Sequence, residues 1–537
     1  MIWMSRRGRL LTAGGAAAAA AATVLALGQT GAEAHGDLHI SGVSAANPKA
    51  AGIVAPNVLT SEWLQSPVAQ GAVPVENPTD WATHYGYNGD GPFVPLPGTL
   101  SEATKTEPDK NTYLVLAGQH GADPGYDYGR HFLFQGHETG KGGYLTRVNL
   151  DADGAHRVTV LATRDVAGNP LPVFDGSVWD PFGRTLLFSA ERGKAGGLWQ
   201  ARLPDSNGHS AVRDISGSVG RGGYEGIQFD SAGELWIVED VGGPAAGANG
   251  KGKQPNSFVY RFVPARRGDL SAGRLQALQV VGAPNPPDAD SAFEAALHSY
   301  GSSFPTRWVT VHDTAVDGTA PFDANAAAKA AGATPFKRPE NGQFRPGAGF
   351  RQFFFTETGD TNADSPFNDG KGGWGAILRI SQSRPDAGDG RLQVTFNGDE
   401  AHAGFDNLSF YDERHLLIVE DAGDTLHTQR NALDSGYVID VDHDYADGAV
   451  PVRFLAEGRD ASATIDSALL GTPGFQNEGD NEITGIHISN GDPTVPGLIG
   501  TRVPTPFAGG WRFFWTQQHG DNITWEVTRP HQEDTED

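Results

Sequence analysis

The sequence contains no cysteine among its 537 residues, and its basic residues are scarce. The absence of cysteine excludes disulfide bonds, zinc–thiolate sites and cysteine nucleophiles. The 40 Lys and Arg residues are outnumbered by 65 Asp and Glu residues, which gives a net charge of −25. This balance argues against a nucleic-acid binding surface, because phosphate backbones are bound by basic stripes. It suits divalent cations, although acidic surface residues also serve solubility alone.

The first 34 residues have the features of an export signal. Ser5-Arg6-Arg7 begins a basic stretch, an alanine-rich run extends from Leu10 to Leu27, and Ala32-Glu33-Ala34 forms a cleavage site. A weakly apolar run that precedes a cleavage motif predicts a removed signal peptide and no stable membrane anchor. The twin arginine favours the twin-arginine export route, with an ordinary secretory signal as the alternative. We therefore expect export machinery as a partner and a secreted, extracellular or cell-envelope location.

Residues 224–240 contain the arrangement around which the rest of the chain is organised. Two short apolar runs flank the turn sequence Asp230-Ser231-Ala232-Gly233, which predicts an antiparallel hairpin. Glu225 precedes the first predicted strand, and Glu239 and Asp240 follow the second. Because an antiparallel hairpin brings its two ends to one edge, at least two carboxylates should meet there.

The same arrangement recurs at four other places in the chain. Each has an acid, a strand, a turn, an aromatic-rich strand, and then an acid or an amide. The flanking residues of these four copies are Asp175 with Glu191, Glu340 with Glu357, Asp406 with Glu420, and Glu482 with Gln518. An aromatic strand that ends in His137-Glu138 adds one more acid, and we interpret Glu138 as a ligand and His137 as structural.

Many short strands separated by turns predict an all-β fold. Long, irregular repeats with aromatic inner strands favour a β-propeller over a sandwich. We expect the propeller to cover residues 111–530, with an insertion at about 265–335 that contains helices at 291–298 and 324–331. Residues 35–110 should pack on this body. In a propeller the equivalent strand ends converge on the axis, so the repeated carboxylates should form a ring there.

Several carboxylates crowded at one axis repel each other, and either protonation or multivalent cations relieve the repulsion. Calcium takes six to eight oxygen ligands and suits such a ring. Clustered cations stabilise the charge of a phosphoryl transition state and activate water. The alternative is that each acid caps a turn or pairs with a local arginine. Arg338 lies two residues before Glu340, and it either binds a tetrahedral oxyanion or forms a plain ion pair.

These motifs resemble the PhoX family of exported alkaline phosphatases from about residue 110 to 525. The twin-arginine leader and the order of seven short motifs carry the resemblance: Gly136-His137-Glu138; Pro181-Phe182-Gly183 followed by Glu191; Tyr224-Glu225 with Glu239-Asp240; Tyr260-Arg261-Phe262-Val263-Pro264; Phe336-Lys337-Arg338-Pro339-Glu340; Asp406-Asn407-Leu408 with Glu420-Asp421; and Gln517-Gln518-His519-Gly520. The segment Arg338-Pro339-Glu340 is the most specific of these.

The resemblance implies a six-bladed propeller with a calcium and iron cluster on its axis that hydrolyses phosphomonoesters. It implies that Arg338 binds the substrate phosphate and that five acids bind metal: Glu138, Glu191, Glu225, Glu340 and Glu420. Well-studied members supply a cysteine thiolate to iron, and Asp175 stands at that place here. A carboxylate can ligate ferric iron or calcium, so Ca²⁺ is expected and Fe³⁺ stays open.

We therefore expect a secreted, monomeric, metal-dependent phosphatase that acts on a small-molecule phosphate ester without a protein nucleophile. Arg338 and Glu340 are the predicted catalytic residues. The full set of predicted metal ligands is Glu138, Asp175, Glu191, Glu225, Glu239, Glu340, Glu357, Asp406, Glu420 and Glu482. Two alternatives remain: a calcium propeller that hydrolyses lactones or other esters, and a non-catalytic, calcium-stabilised binding propeller. The choice between monoesters and diesters also stays open.

Overall fold

The computed structural model describes residues 38–49, 56–91, 103–458, 482–518 and 522–530. The predicted export signal lies outside these ranges. The described part is built from 28 β-strands and a few short helices, which confirms the predicted all-β class. Among the described residues, none of the helices has the length and apolar character needed to span a membrane.

The first strands of the described part are two short ones, and two antiparallel meanders of four strands each follow them. The early strands are β1 (Val58–Leu59) and β2 (Leu64–Ala69). The first meander contains β3 (Thr112–Val115), β4 (His131–Gln135), β5 (Leu145–Asn149) and β6 (Val158–Ala162). The second contains β7 (Ser177–Asp180), β8 (Thr185–Ala190), β9 (Gly197–Arg202) and β10 (Val212–Asp214).

The third and fourth meanders are joined into one nine-stranded sheet. The third contains β11 (Tyr224–Phe229), β12 (Leu235–Glu239), the small hairpin β13 (Ala245–Ala246) and β14 (Gly252–Lys253), then β15 (Val259–Arg266), β16 (Asp269–Val280) and β17 (Phe304–Asp313). The fourth contains β18 (Pro339–Phe344), β19 (Gln352–Glu357), β20 (Ala376–Ser381) and β21 (Asp389–Asn397). The two join where β17 pairs antiparallel with β21.

The last two meanders incorporate the early strands. The fifth contains β22 (Phe405–Phe410), β23 (His415–Glu420), β24 (Ser435–Asp440) and β25 (Val452–Ala456), and β1 pairs with β25. The sixth contains β26 (Glu482–Ser489), β27 (Arg512–Gln518) and β28 (Ile523–Thr528), and β2 supplies its outer strand. The segment predicted to pack on the propeller thus contributes strands to its sheets, and Trp63 is buried against Tyr411, Phe454 and Phe513.

The first strands of the six meanders surround a common axis. Each contacts the next in the cyclic order β3, β7, β11, β18, β22 and β26, and β26 returns to β3. Nearly all residues of these strands are buried, because apolar side chains pack between neighbouring sheets and polar ones face the centre. Trp236, for example, packs on Phe344 and Phe353 of the next meander. The result is the predicted propeller arrangement.

The predicted insertion at 265–335 is only partly helical. The described helices are α1 (Ser216–Val219), α2 (Ala292–Leu297), α3 (Thr314–Asp317), α4 (Ala324–Ala330) and α5 (Gly423–Arg430). Helices α2 and α4 confirm the two predicted stretches, and the side chain of Ser291 caps α2 by accepting a hydrogen bond from Glu294 N. Most of the remaining segment is the long strand pair β16 and β17, which extends the third meander outward.

Candidate metal centre and active site

A repeated β-bulge turns three acids toward the axis. The register between first and second strands shifts between Tyr224 and Ile227, between Pro339 and Gly342, and between Phe405 and Leu408. Each bulge contains one predicted ligand, and these are Glu225, Glu340 and Asp406. A bulge re-aims the side chain that it contains. One ligand oxygen from each of these acids lies within 4.8 Å of the other two.

Two further groups of carboxylates lie beside the first and share Glu138. One group is Asp109, Glu138 and Glu482, and the other is Glu138, Asp175 and Glu191. Within each group the ligand oxygens again lie within 4.8 Å of one another. Together the three groups contain eight acids, and every meander contributes at least one of them. This is the convergence that the repeated hairpin arrangement predicts.

The negative charges of these buried carboxylates repel one another. Burial and the neighbouring carboxylates raise pKa values well above the usual range for Asp109, Asp175, Glu191, Glu225, Glu340 and Glu482. One oxygen of Glu225 accepts a hydrogen bond from Asn341 Nδ2 at 2.6 Å, whereas its buried Oε2 has no partner in the described chain. Such a set of carboxylates needs either protons or multivalent cations to be stable.

The buried Lys110 lies beside the carboxylates. Lys110 Nζ lies 2.5 Å from Asn341 Oδ1 and 3.3 Å from Asn407 Oδ1. Burial lowers its pKa, and the negative charges of Asp406 and Glu225 oppose that decrease. One ammonium cannot balance eight carboxylates, so the centre retains a large capacity for added positive charge.

Arg338 lies at the edge of the centre with its side chain 19% exposed. Its Nε donates to Asp240 Oδ2 at 2.9 Å, and its Nη2 lies 2.8 Å from Asp240 Oδ2 and 3.1 Å from Glu340 Oε1. The backbone of Arg338 has a φ of 54°, and this left-handed conformation precedes the fixed φ of Pro339. The hydroxyl of Thr358 donates to Glu340 Oε1 from the other side. These contacts hold the guanidinium and the carboxylate side by side.

Three predicted ligands lie outside these groups, and other parts of the protein donate hydrogen bonds to at least one oxygen of each. Glu239 Oε2 accepts hydrogen bonds from Tyr260 Oη, Phe258 N and Asn325 Nδ2. Glu357 contacts His298 Nε2 at 2.9 Å and accepts a hydrogen bond from Lys337 N. Glu420 accepts hydrogen bonds from Ala403 N, Ser435 N and Arg430 Nη1. None of the three carboxylate groups contains Glu239, Glu357 or Glu420, and their assignment as metal ligands stays a prediction.

The sequence interpretation missed Asp109, Lys110 and Asp240 as members of the centre. Asp109 precedes β3 and Glu138 follows β4, so both obey the same hairpin rule, but the long connection between these strands hides it. Asp240 immediately follows Glu239, and successive residues of an extended chain point to opposite sides. His137 is buried between Thr106 and Thr146, and burial lowers its pKa to about 3, in agreement with a structural role.

Comparisons with known proteins point to one family. Residues 249–494 match the family model for alkaline phosphatase PhoX. The structure of Pseudomonas fluorescens PhoX in complex with vanadate, a transition state analogue, is 12% identical with a TM-score of 0.53, and the match covers 90% of this chain and 98% of that one. At this identity the likeness shows a shared β-propeller fold. No curated protein sequence matches the chain significantly.

Two sugar dehydrogenases are more distant structural neighbours. A glucose dehydrogenase is 12% identical with a TM-score of 0.36, and the match covers 87% of this chain and 100% of that one. The soluble aldose sugar dehydrogenase of Escherichia coli is 12% identical with a TM-score of 0.35, over 79% and 97% of the two chains. These TM-scores are too low to carry an argument about function.

Proposed function

We propose that the chain is an exported, metal-dependent phosphatase, because residues 249–494 match the family model for alkaline phosphatase PhoX. One observation carries the proposal: eight carboxylates from six meanders meet in three groups on the axis, and Arg338 lies at their edge. A phosphoric ester hydrolase needs positive charge where the phosphoryl group is transferred. The centre can collect that charge from cations and from one arginine.

The donor set of the three groups fits hard cations. All eight ligands are carboxylates, and calcium prefers oxygen ligands. The unpartnered Oε2 of Glu225 and the raised pKa values of these acids also favour bound cations. Glu225, Glu340 and Asp406 would hold one ion, and the two groups that share Glu138 would hold two more. Asp175 can serve ferric iron or calcium, so iron is the open part of this assignment.

The protein's own residues would orient the substrate. The Arg338 guanidinium would bind two phosphoryl oxygens, and Asp240 and Glu340 would fix its plane beforehand. The hydroxyls of Thr358 and Thr484 donate to Glu340 and Asp109, so they hold carboxylates in place. We infer that water, and no side chain, attacks phosphorus. When bound, the cations would supply Lewis-acid stabilisation of the charge that develops on the phosphoryl oxygens.

Activity assays on metal-reconstituted protein test this proposal. We expect hydrolysis of p-nitrophenyl phosphate, loss of this activity with a calcium chelator, and no hydrolysis of a lactone. Lactone hydrolysis without phosphatase activity would favour the ester hydrolase alternative. No turnover, with a melting temperature that calcium still raises, would favour a calcium-stabilised binding propeller. Elemental analysis of protein from its native host separates calcium alone from calcium with iron.

The remaining parts of the proposal concern the whole chain. We propose that residues 1–34 are a removed export signal, that 35–110 attach to a propeller unit of 111–530, and that the mature protein is a monomer. N-terminal sequencing of exported protein tests the cleavage site. Light scattering of the purified mature protein tests the oligomeric state.

A further inference from the structure

Lys110 contacts two asparagines that occupy equivalent places in neighbouring meanders. Its Nζ, on a buried side chain, lies 2.5 Å from Asn341 Oδ1 and 3.3 Å from Asn407 Oδ1. Asn341 directly follows Glu340 in the bulge of the fourth meander, and Asn407 directly follows Asp406 in the bulge of the fifth. Both asparagines are also buried. The lysine therefore joins the two bulges that carry these acids.

The amide nitrogens of both asparagines donate to carboxylates of the centre. Asn341 Nδ2 donates to Glu225 Oε1 at 2.6 Å and to Asp406 Oδ1 at 3.0 Å. Asn407 Nδ2 donates to Asp406 Oδ2 at 2.6 Å. Glu225, Glu340 and Asp406 form one of the three carboxylate groups, which we call the Glu225 group. The Asn341 amide thus joins two of its three acids.

The groups on either side of the Asn341 amide fix its orientation. A lysine ammonium has three N–H donors and no acceptor, whereas carboxylates have only acceptors. The amide must therefore turn Oδ1 toward Lys110 and Nδ2 toward the two acids. Among the described residues, Glu225 Oε2 has no hydrogen-bond partner, so the second oxygen of this carboxylate stays available to a cation. Without the ammonium, the amide would keep only one of its two restraints.

We propose that Lys110 is a positioning residue for the cation of the Glu225 group and that it acts through the Asn341 amide. This inference rests on the proposed metal-dependent function and adds to it a residue that binds no cation itself. Loss of a group that orients metal ligands typically weakens metal binding about ten- to a hundredfold. The positive charge of Lys110 has the opposite effect, because it repels a cation bound nearby. A test must therefore separate orientation from charge.

A double-mutant cycle makes this separation. Its variants are Lys110→Met, Asn341→Leu and the combination of both, and calorimetry measures the dissociation constant of calcium for each. The binding step that disappears in Glu225→Gln identifies the site. We expect Lys110→Met to multiply this dissociation constant by a factor that is about tenfold higher when Asn341 is present than in Asn341→Leu. The charge of Lys110 is lost in both backgrounds, so its contribution cancels.

Terbium luminescence gives a spectroscopic readout of the same effect. Lifetimes in ordinary and heavy water report the average number of waters on each bound ion, and this number should rise in Lys110→Met, because a misplaced carboxylate leaves a ligand position to water. Lys329→Met is the matched control: Lys329 Nζ donates to Asn256 Oδ1 at 2.6 Å, so this variant removes the same kind of contact at an exposed position. It should change neither the calcium dissociation constant nor the number of waters.

Additive effects of Lys110→Met and Asn341→Leu on calcium binding would overturn the inference, and so would an unchanged number of waters in Lys110→Met. Both results would leave the phosphatase proposal intact. A wild-type protein that binds no calcium would instead contradict the metal-dependent function on which the inference rests. If a variant of the cycle does not fold, Lys110→Leu or Asn341→Ala replaces it, and the same comparison applies.

Discussion

Asp240 Oδ2 lies between two nitrogens of the Arg338 guanidinium, 2.9 Å from Nε and 2.8 Å from Nη2. This pairing orients the remaining face of the guanidinium toward the centre. We therefore expect Asp240→Asn, a change at a positioning residue, to lower kcat/KM for p-nitrophenyl phosphate by about ten- to a hundredfold. The fall should appear mainly in kcat, since geometry of the transition state is lost. Asp442→Asn is the matched control because Asp442 pairs with Arg345 at an exposed site, and it should keep full activity.

Replacement of the arginine itself should have a larger effect. Arg338→Ala is expected to lower phosphatase activity by about a thousandfold, because a donor to the transition-state oxygens is lost. The calcium content by elemental analysis should not change, since Arg338 binds no cation. Arg338→Lys should recover little activity, because lysine cannot form the bidentate contact. Unaltered turnover in Arg338→Ala would remove this residue from the mechanism.

The shared carboxylate Glu138 gives a prediction about stoichiometry. Because Glu138 belongs to two of the three groups, Glu138→Gln should remove more bound cation per chain than Glu225→Gln, which affects one group. Elemental analysis after dialysis measures the difference. Glu420→Gln is the control: this acid is bonded to Arg430 and to two backbone N–H groups, so the metal content should stay unchanged. Equal losses in Glu138→Gln and Glu420→Gln would show that Glu420 also binds a cation.

The pair of His298 and Glu357 gives a prediction about pH. Burial opposes the charged imidazole, but the hydrogen bond and charge of Glu357 outweigh it and raise the pKa of His298 above the usual 6.5. The pair therefore stabilises the fold fully below pH 6.5, and this contribution is lost as pH rises through the folded-state pKa. His298→Gln should lower the free energy of unfolding by about 3 kcal/mol at pH 6 and by less at pH 9.

Denaturant unfolding of the wild type and His298→Gln at both pH values measures this difference. His120→Gln, at an exposed loop position, is the control and should change the unfolding free energy little at either pH. A difference for His298→Gln that grows with pH would show that the imidazole is neutral in the fold.

Much of the fold was predictable because the hairpin rule repeats. Glu225, Glu340 and Asp406 each lie at the start of a first strand, and radial symmetry brings equivalent positions together whatever their separation along the chain. Glu239 was harder to place, since a one-residue difference on an extended chain decides which side a carboxylate faces. Phe258 N and Tyr260 Oη, which no local pattern links to Glu239, donate hydrogen bonds to its Oε2.

The β-bulges and the long connection between β3 and β4 explain why the sequence does not predict the remaining features of the site. A bulge adds one residue to a strand, so strand alternation alone does not predict that Glu225 points to the axis. Asp109 lies before a strand whose hairpin partner is separated by an extended loop, which conceals the rule. Lys110 has no sequence signature, because its surroundings consist of groups brought from distant parts of the chain.

The contact between the first and last meanders, where β3 meets β26, has a consequence for the folding of the newly made chain. Asp109 precedes the first strand of the first meander, and Glu482 begins the first strand of the last meander. Both nevertheless belong to one candidate cation site. That site is complete only after almost the whole polypeptide has been synthesised and the circle has closed. A cation bound there would join the first and last meanders. Cation binding and closure of the propeller would then favour each other.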